Sequence, residues 1–269
     1  MEKPRPLWYS LIIFFSVTLV LVSGCTTPTQ SQTVPPTTPL PSTIQTTVPV
    51  LITTTPQTTQ NPTVPPVTTT GSITSDDITQ HFMDIAFGSG TTQLDRLAYD
   101  PTGPKPLVTL SLFNGNDADM ALLGSFITEF NDLSATNQFS ENIKTTANAN
   151  IVIQFVAQTG MDAISSDSYT KEFKSGSVSY AKIGSGIIYI NDNLKGDLRT
   201  HIILRSFLYE LGCRGETLRY PDSMFYYDDN SNIRLSLIDK KAVQIMYGSG
   251  LNRGMTVADV KNVVNVRTY

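Results

Sequence analysis

Hydrophobic and polar positions follow two rhythms over the last two-thirds of the chain, and the rhythms mark out its elements. SDDITQHFMDIAF sets Ile78, Phe82, Ile85 and Ala86 on one face of a helix capped by Ser75 or Asp76. PLVTLSLFN alternates as a strand. NDADMALLGSFITEFNDLS has the helical period, with Met120, Leu123, Phe126, Ile127 and Phe130 inward and an acidic first turn that suits the helix dipole. ANIVIQFVA, SVSYAKIG and GIIYIN follow as three β-rich runs, and the tight Gly184-Ser185-Gly186 turn joins the last two as a hairpin. GDLRTHIILRSFLYELG is a helix ended by Gly212, with Glu210 on its outer surface. SLIDKKAVQIMYG, with Ser236 and Asp239 in capping positions, and TVADVKNVVNV complete the series. The order α-β-α-β-β-β-α-α-α predicts an α+β domain, a mixed sheet with helices packed on it.

Upstream the pattern changes twice. Lys3 and Arg5, an apolar run from Leu7 to Val22, and Ser23-Gly24-Cys25 form a secretory signal over residues 1–25. The apolar run is shorter than the roughly 20 residues of a spanning helix, and its end resembles the lipobox of bacterial and archaeal lipoproteins. Cys25 is then the lipid-bearing first residue of the mature chain; the alternative is an uncleaved signal anchor. Both readings place the rest outside the cytoplasm and tethered to the cell membrane. Residues 26–72 are nearly all Thr, Pro, Gln, Ser and Val, without a charge, and cannot bury enough apolar surface to offset chain entropy. They form a stalk that would span about 140 Å as a polyproline helix or about 40 Å as a flexible coil. The folded domain occupies residues 73–269.

Charge and cysteine content narrow the partners. A formal net charge of -4 argues against nucleic acid and anionic lipid surfaces. With Cys25 lipidated, Cys213 is the only cysteine left, so no internal disulfide closes and stability comes from the packed core.

The candidate chemistry lies in RSFLYELGCRGETLRYPDSMFYY, from Arg205 to Tyr227. Its register resembles the zinc-binding unit of metzincin peptidases, H-E-x-x-H-x-x-G-x-x-H on a helix followed by a turn with a methionine. Gly212 stands at the glycine, Met224 at the methionine, and LSLIDKKAVQIMYG is similar to the closing helix of matrixins. The C-terminal MYGSGLNRGMT is similar to a zincin-like family of exported bacterial and archaeal proteins whose metal ligands are eroded. The resemblance covers roughly residues 107–256 and implies a zincin-like sheet, a long helix and a degenerate active-site helix. Arg205 and Tyr209 replace the first two histidines, Ser206 the glutamate and Gly215 the third histidine. The chain has two histidines, His81 and His201, too few for a three-histidine site. His201 and Cys213 lie about 18 Å apart along a helix, too far to share a metal. No metal or other cofactor is expected.

Arg205 and Tyr209, one turn apart, project from one face of the helix, and His201 lies one turn before them. Two readings follow for Arg205. It pairs with Glu216 or Asp222 and plugs the old site, or it recognises a carboxylate of a bound ligand. Met224 and the aromatic run Phe225, Tyr226 and Tyr227 form floor and wall, and Tyr220, Tyr226 and Tyr227 can instead stack on a ligand. DDNSN, from Asp228, reads as a solvated turn. The function expected is a catalytically inactive, peptidase-like cleft that binds an extended peptide or an envelope polymer. The alternative is an atypical hydrolase acting on envelope material through His201, Arg205, Tyr209 and Glu216.

Overall fold

Helix α1, Ser75–Ala86, is capped by Thr74, one residue before the first expected cap, because Thr74 accepts the Asp77 N–H and the Asp77 carboxylate accepts the Thr74 N–H in return. That reciprocal pair satisfies two otherwise orphaned donors. The computed structural model that shows this describes residues 72–265 apart from 89, 99, 101, 147, 228 and 229. The signal segment, Cys25, the stalk and the acidic pair Asp228-Asp229 lie outside the described residues. Among those described, no helix is long and apolar enough to cross a membrane.

The strand expected over residues 106–114 divides into β1, Leu107–Val108, and β2, Leu110–Phe113. Thr109 causes the break: its N–H and hydroxyl both donate to Asn150 Oδ1, at 2.8 and 2.9 Å, instead of joining a ladder. Helix α2, Asp117–Leu133, is capped by Asn116 and Asp119 and buries Leu123, Phe126, Ile127 and Phe130 as the period predicts. Strand β3, Gln138–Phe139, pairs with β1 in a small parallel sheet. The main elements that follow are β4, Ile151–Val156; α3, Gln158–Ala163; β5, Lys171–Ser175; β6, Val178–Gly184; and β7, Ile187–Asn191.

The main sheet runs β2-β4-β7-β6-β5, parallel across the first three strands and antiparallel across the last three. The β6–β7 hairpin turns on Gly186 at φ 76°, a backbone conformation glycine enters without strain. Strand β5 was not legible beforehand. Its sequence, KEFKS, is charged, as befits a sheet edge that must not pair indiscriminately.

Helix α4, Gly196–Glu210, runs through the middle of the domain against α2, β6 and β7. Every residue from His201 to Tyr209 is buried. The chain leaves it at Gly212, φ 100°, where any side chain would overlap the Asp95 carbonyl oxygen. Helices α5, Leu237–Met246, and α6, Val257–Asn265, close the domain, with α5 against α1. Among the described residues the result is a mixed α+β domain of six α-helices with a five-stranded mixed sheet, the class that the order of elements predicts, with α3 an addition to it.

A buried ion pair ties α4 to α2. Arg199 Nε and Nη2 donate to the two Asp119 oxygens at 2.9 and 2.8 Å, and the guanidinium lies 4.0 Å from the centre of the Phe155 ring. Burial pushes the Asp119 carboxyl up, but the Arg199 hydrogen bonds, the Asn116 N–H and the Arg199 charge outweigh it and hold the group below its ordinary 3.8. A depressed folded pKa means stability that is complete above the unfolded value and lost as pH falls through the folded one. We predict that Asp119→Ala destabilises the fold by about 3 kcal/mol in urea titrations, because Arg199 stays buried with only the looser, half-exposed Asp192 carboxylate, at 3.3 Å, as a counter-charge. The variant should also lose less stability than wild type between about pH 4 and pH 2.

Candidate functional site

Four segments converge on a cavity of about 350 Å³ beside the sheet edge, strand β6 among them through Tyr180. Helix α4 contributes His201 and Arg205, edge strand β5 contributes Lys171 to Lys174, and the loop after α4 contributes Glu216, Tyr226, Tyr227 and Asn230.

Arg205 lies at the base, 3% exposed. Its Nη1 donates to the Cys213 carbonyl at 3.0 Å and its Nη2 to the Gly215 carbonyl at 2.8 Å. The guanidinium sits 4.9 Å from the Phe225 ring centre and 5.3 Å from that of Phe173, within cation–π range. The expected carboxylate partner is therefore replaced by backbone. Once Gly212 reverses the chain, two loop carbonyls are delivered beside the guanidinium, and Glu216 is drawn to Lys171, at 3.4 Å, instead. Burial pulls the Arg205 pKa down, opposed chiefly by the Glu216 charge.

His201 Nδ1 lies 2.8 Å from the Asn232 carbonyl, which can only accept, so this nitrogen carries the proton and Nε2 keeps its lone pair in the neutral ring. Burial pushes its pKa below the ordinary histidine value, the Asn232 bond opposes this, and Arg205 adds to the lowering. The ring is therefore neutral at pH 7.

The loop that forms the far wall has a second anchor, Asp239 on α5. Its fully buried carboxylate accepts from the Ser223 hydroxyl at 2.6 Å, the His81 Nε2–H at 2.7 Å, the Met224 N–H at 2.9 Å and the Ser236 N–H at 3.0 Å. Four donors fill the capacity of a carboxylate. Burial pushes this carboxyl up as well, but the His81, Ser223 and Met224 donors prevail and hold it below the usual carboxylate range. Asp239 is visible in the sequence as a cap. Its grip on the Met224 turn and on His81 is not.

The cavity thus gathers five of the residues singled out from sequence, His201, Arg205, Glu216, Tyr226 and Tyr227. Tyr209, Tyr220, Asp222 and Met224 are not part of its lining. Tyr209 is buried, meets the edge of Phe173 at 6.2 Å and carries the Arg214 guanidinium 4.5 Å from its ring centre. The Tyr220 hydroxyl is 3.3 Å from Asp77 Oδ1, and burial, with the Asp77 charge, pushes its pKa up to about 12. Asp222 is exposed in a separate depression beside residues 231–237. Met224 belongs to the core. Glu210, expected on the outer surface, is half-buried and accepts the Gly186 N–H at 2.9 Å.

Sequence reading missed Lys171 and Phe173, which line the cavity because β5 is a strand, and Tyr180, which reaches it from the expected strand β6. Among the described residues no group of three or more His, Cys, Asp and Glu side chains is placed to hold a metal ion. Cys213 is sealed in the core 3.8 Å from the Met246 sulfur, and burial pushes its thiol up to about 12, so it is no thiolate at pH 7. Ser206 Oγ is buried and makes no hydrogen bond.

At Gly215, where the metzincin pattern has its third histidine, the backbone is pressed against α1. Its N–H donates to the Ile85 carbonyl at 2.7 Å. A Cβ at this position would overlap the Asp84 carbonyl oxygen and stand 2.8 Å from Gly88 Cα. We predict that Gly215→Ala costs at least about 2 kcal/mol of stability by chemical denaturation, from overpacking against backbone that cannot retreat. A histidine restored there should fold still less well.

Compared with known proteins, the chain matches no family model and no curated protein. Its structure is similar to the solved structure of myroilysin at a TM-score of 0.35 and 12% sequence identity, over 54% of this chain and 95% of that one.

Proposed function

We propose that this is a membrane-tethered, zincin-like domain whose cleft binds an extended chain without cleaving it. The observation that carries the reading is the position of β5: it is the last strand of the sheet, and its residues form one wall of the cavity. A strand edge offers backbone N–H and C=O groups to another backbone, which favours an extended peptide over a polysaccharide. Across the cavity, Tyr226 and the 41%-exposed Tyr227 supply rigid aromatic area for side chains. The zincin-like assignment is supported by the sequence of α4, the Gly212 reversal, the Met224 turn and α5, held together through Asp239.

A hydrolytic role has less support in the same geometry. Ser206 and Cys213, the nucleophile types on and just after α4, are both sealed away from the cavity. His201 has a basic nitrogen but no hydroxyl or thiol hydrogen-bonded to it.

The test is binding of fluorescein-labelled, randomised octapeptide pools to the full-length protein in detergent micelles, read by fluorescence polarisation. Tyr227→Ala should weaken binding about tenfold, near 1.4 kcal/mol, while leaving stability within about 0.5 kcal/mol of wild type, as exposed substitutions do. Absence of saturable binding by wild type defeats the reading. The tether has its own test: Cys25→Ala should move the protein from the membrane fraction to the soluble one, and retention in the membrane would favour the uncleaved anchor.

A further inference from the structure

Among the described residues that line the cavity, the charges do not cancel. These include two carboxylates, and each is engaged by a lysine: Glu216 by Lys171 at 3.4 Å, and Glu172 by Lys174 at 3.6 Å. Glu172 also accepts the Ser179 hydroxyl at 2.6 Å. The third cation, Arg205, has no carboxylate within ion-pair distance among the described residues; its two hydrogen bonds go to carbonyl oxygens. His201, neutral at pH 7, adds no charge.

A guanidinium has five N–H donors, so the Cys213 and Gly215 carbonyls take two of five. Loop carbonyls offer partial charges only, and a buried cation without a counter-ion carries a desolvation cost of several kcal/mol. The fold accepts that cost at the base of an open cavity. The cation is fixed in place by two aromatic rings and two backbone bonds, so little side-chain entropy is lost when an anion reaches it.

Building on the strand-pairing reading above, we propose that the cleft selects acidic peptides: a ligand chain laid along β5 seats one carboxylate on Arg205. Phe173, near the middle of β5, stacks on Arg205 and sets where along the strand that carboxylate arrives. The planar fork of a carboxylate fits the remaining N–H groups of the guanidinium in a way that a carboxamide or a phenol does not. Glu216 is then an internal competitor. It is the acid whose charge most supports Arg205, yet Lys171 holds it aside, and its side chain is one-third exposed.

The experiment uses C-terminally amidated octapeptide pools, randomised except for one central residue fixed as Asp, Glu, Asn or Gln, against the full-length protein in detergent micelles. The acid pools should bind at least about tenfold more tightly than the amide pools. Glu216→Gln, at a partly exposed position where the fold tolerates change, should widen that ratio several-fold by removing the competing charge. Arg205→Gln, if it folds, should bring the ratio to one. Equal binding of acid and amide pools by wild type, or a ratio that Glu216→Gln leaves unchanged, overturns the proposal while the strand-pairing reading stands. Failure of every pool to bind overturns both.

Discussion

Helix α4 has no solvent face over nine consecutive residues, His201 to Tyr209, so each polar side chain it carries must find its partner inside the protein. Arg199, just upstream, meets Asp119 and so fixes α4 against α2. His201 takes the Asn232 carbonyl and Arg205 those of Cys213 and Gly215. The loop that follows α4 is therefore folded back onto the helix by the helix's own side chains. The cavity exists because that loop, so held, stops short of β5. Only Ser206 is left without a partner, a local cost that small size makes tolerable.

The same loop is pinned from the opposite side by Asp239, whose four donors come from α1, from the loop itself and from the start of α5. Two independent anchors, one on α4 and one on α5, thus define a long irregular segment. Irregular chain of this kind leaves many backbone groups without a ladder partner. Here side chains replace the ladder. Asn232 donates to the Pro221 and Ser223 carbonyls and Asn230 to that of Tyr226, closing the loop on itself.

What was legible beforehand follows the range of each interaction. The helical period of α2, α4 and α5 and the Gly186 hairpin are local patterns, and they hold in the structure. Strand β5 was missed because an edge strand has no need of alternation and carries charges instead. The partner of Arg205 was mis-assigned because sequence suggests a carboxylate for a buried cation, whereas the reversal at Gly212 brings carbonyls nearer. Gly215 could be read only as a missing histidine. Its contact with Gly88 joins residues more than a hundred positions apart, which no local pattern reports. His81 and Asp239 are likewise distant in sequence and adjacent in space.

Closing the loop over Arg205 and the proposed ligand recognition are therefore not opposed. A side chain at residue 215 would collide with α1, so the loop approaches α1 backbone to backbone, and the Gly215 carbonyl is turned toward Arg205. The interaction that stabilises the loop also fixes the orientation of the guanidinium. A lysine at position 205 could supply charge but not two divergent donors with others to spare. An uncharged residue could supply hydrogen bonds but would leave the two lysines and two acids of the described lining in balance. Arginine both ties the loop and, among the described lining residues, leaves one positive charge in excess, beneath the wall that the edge strand β5 forms. Structural need and the proposed recognition thus fall on the same residue, so the consequence of replacing it must be measured in both stability and ligand preference.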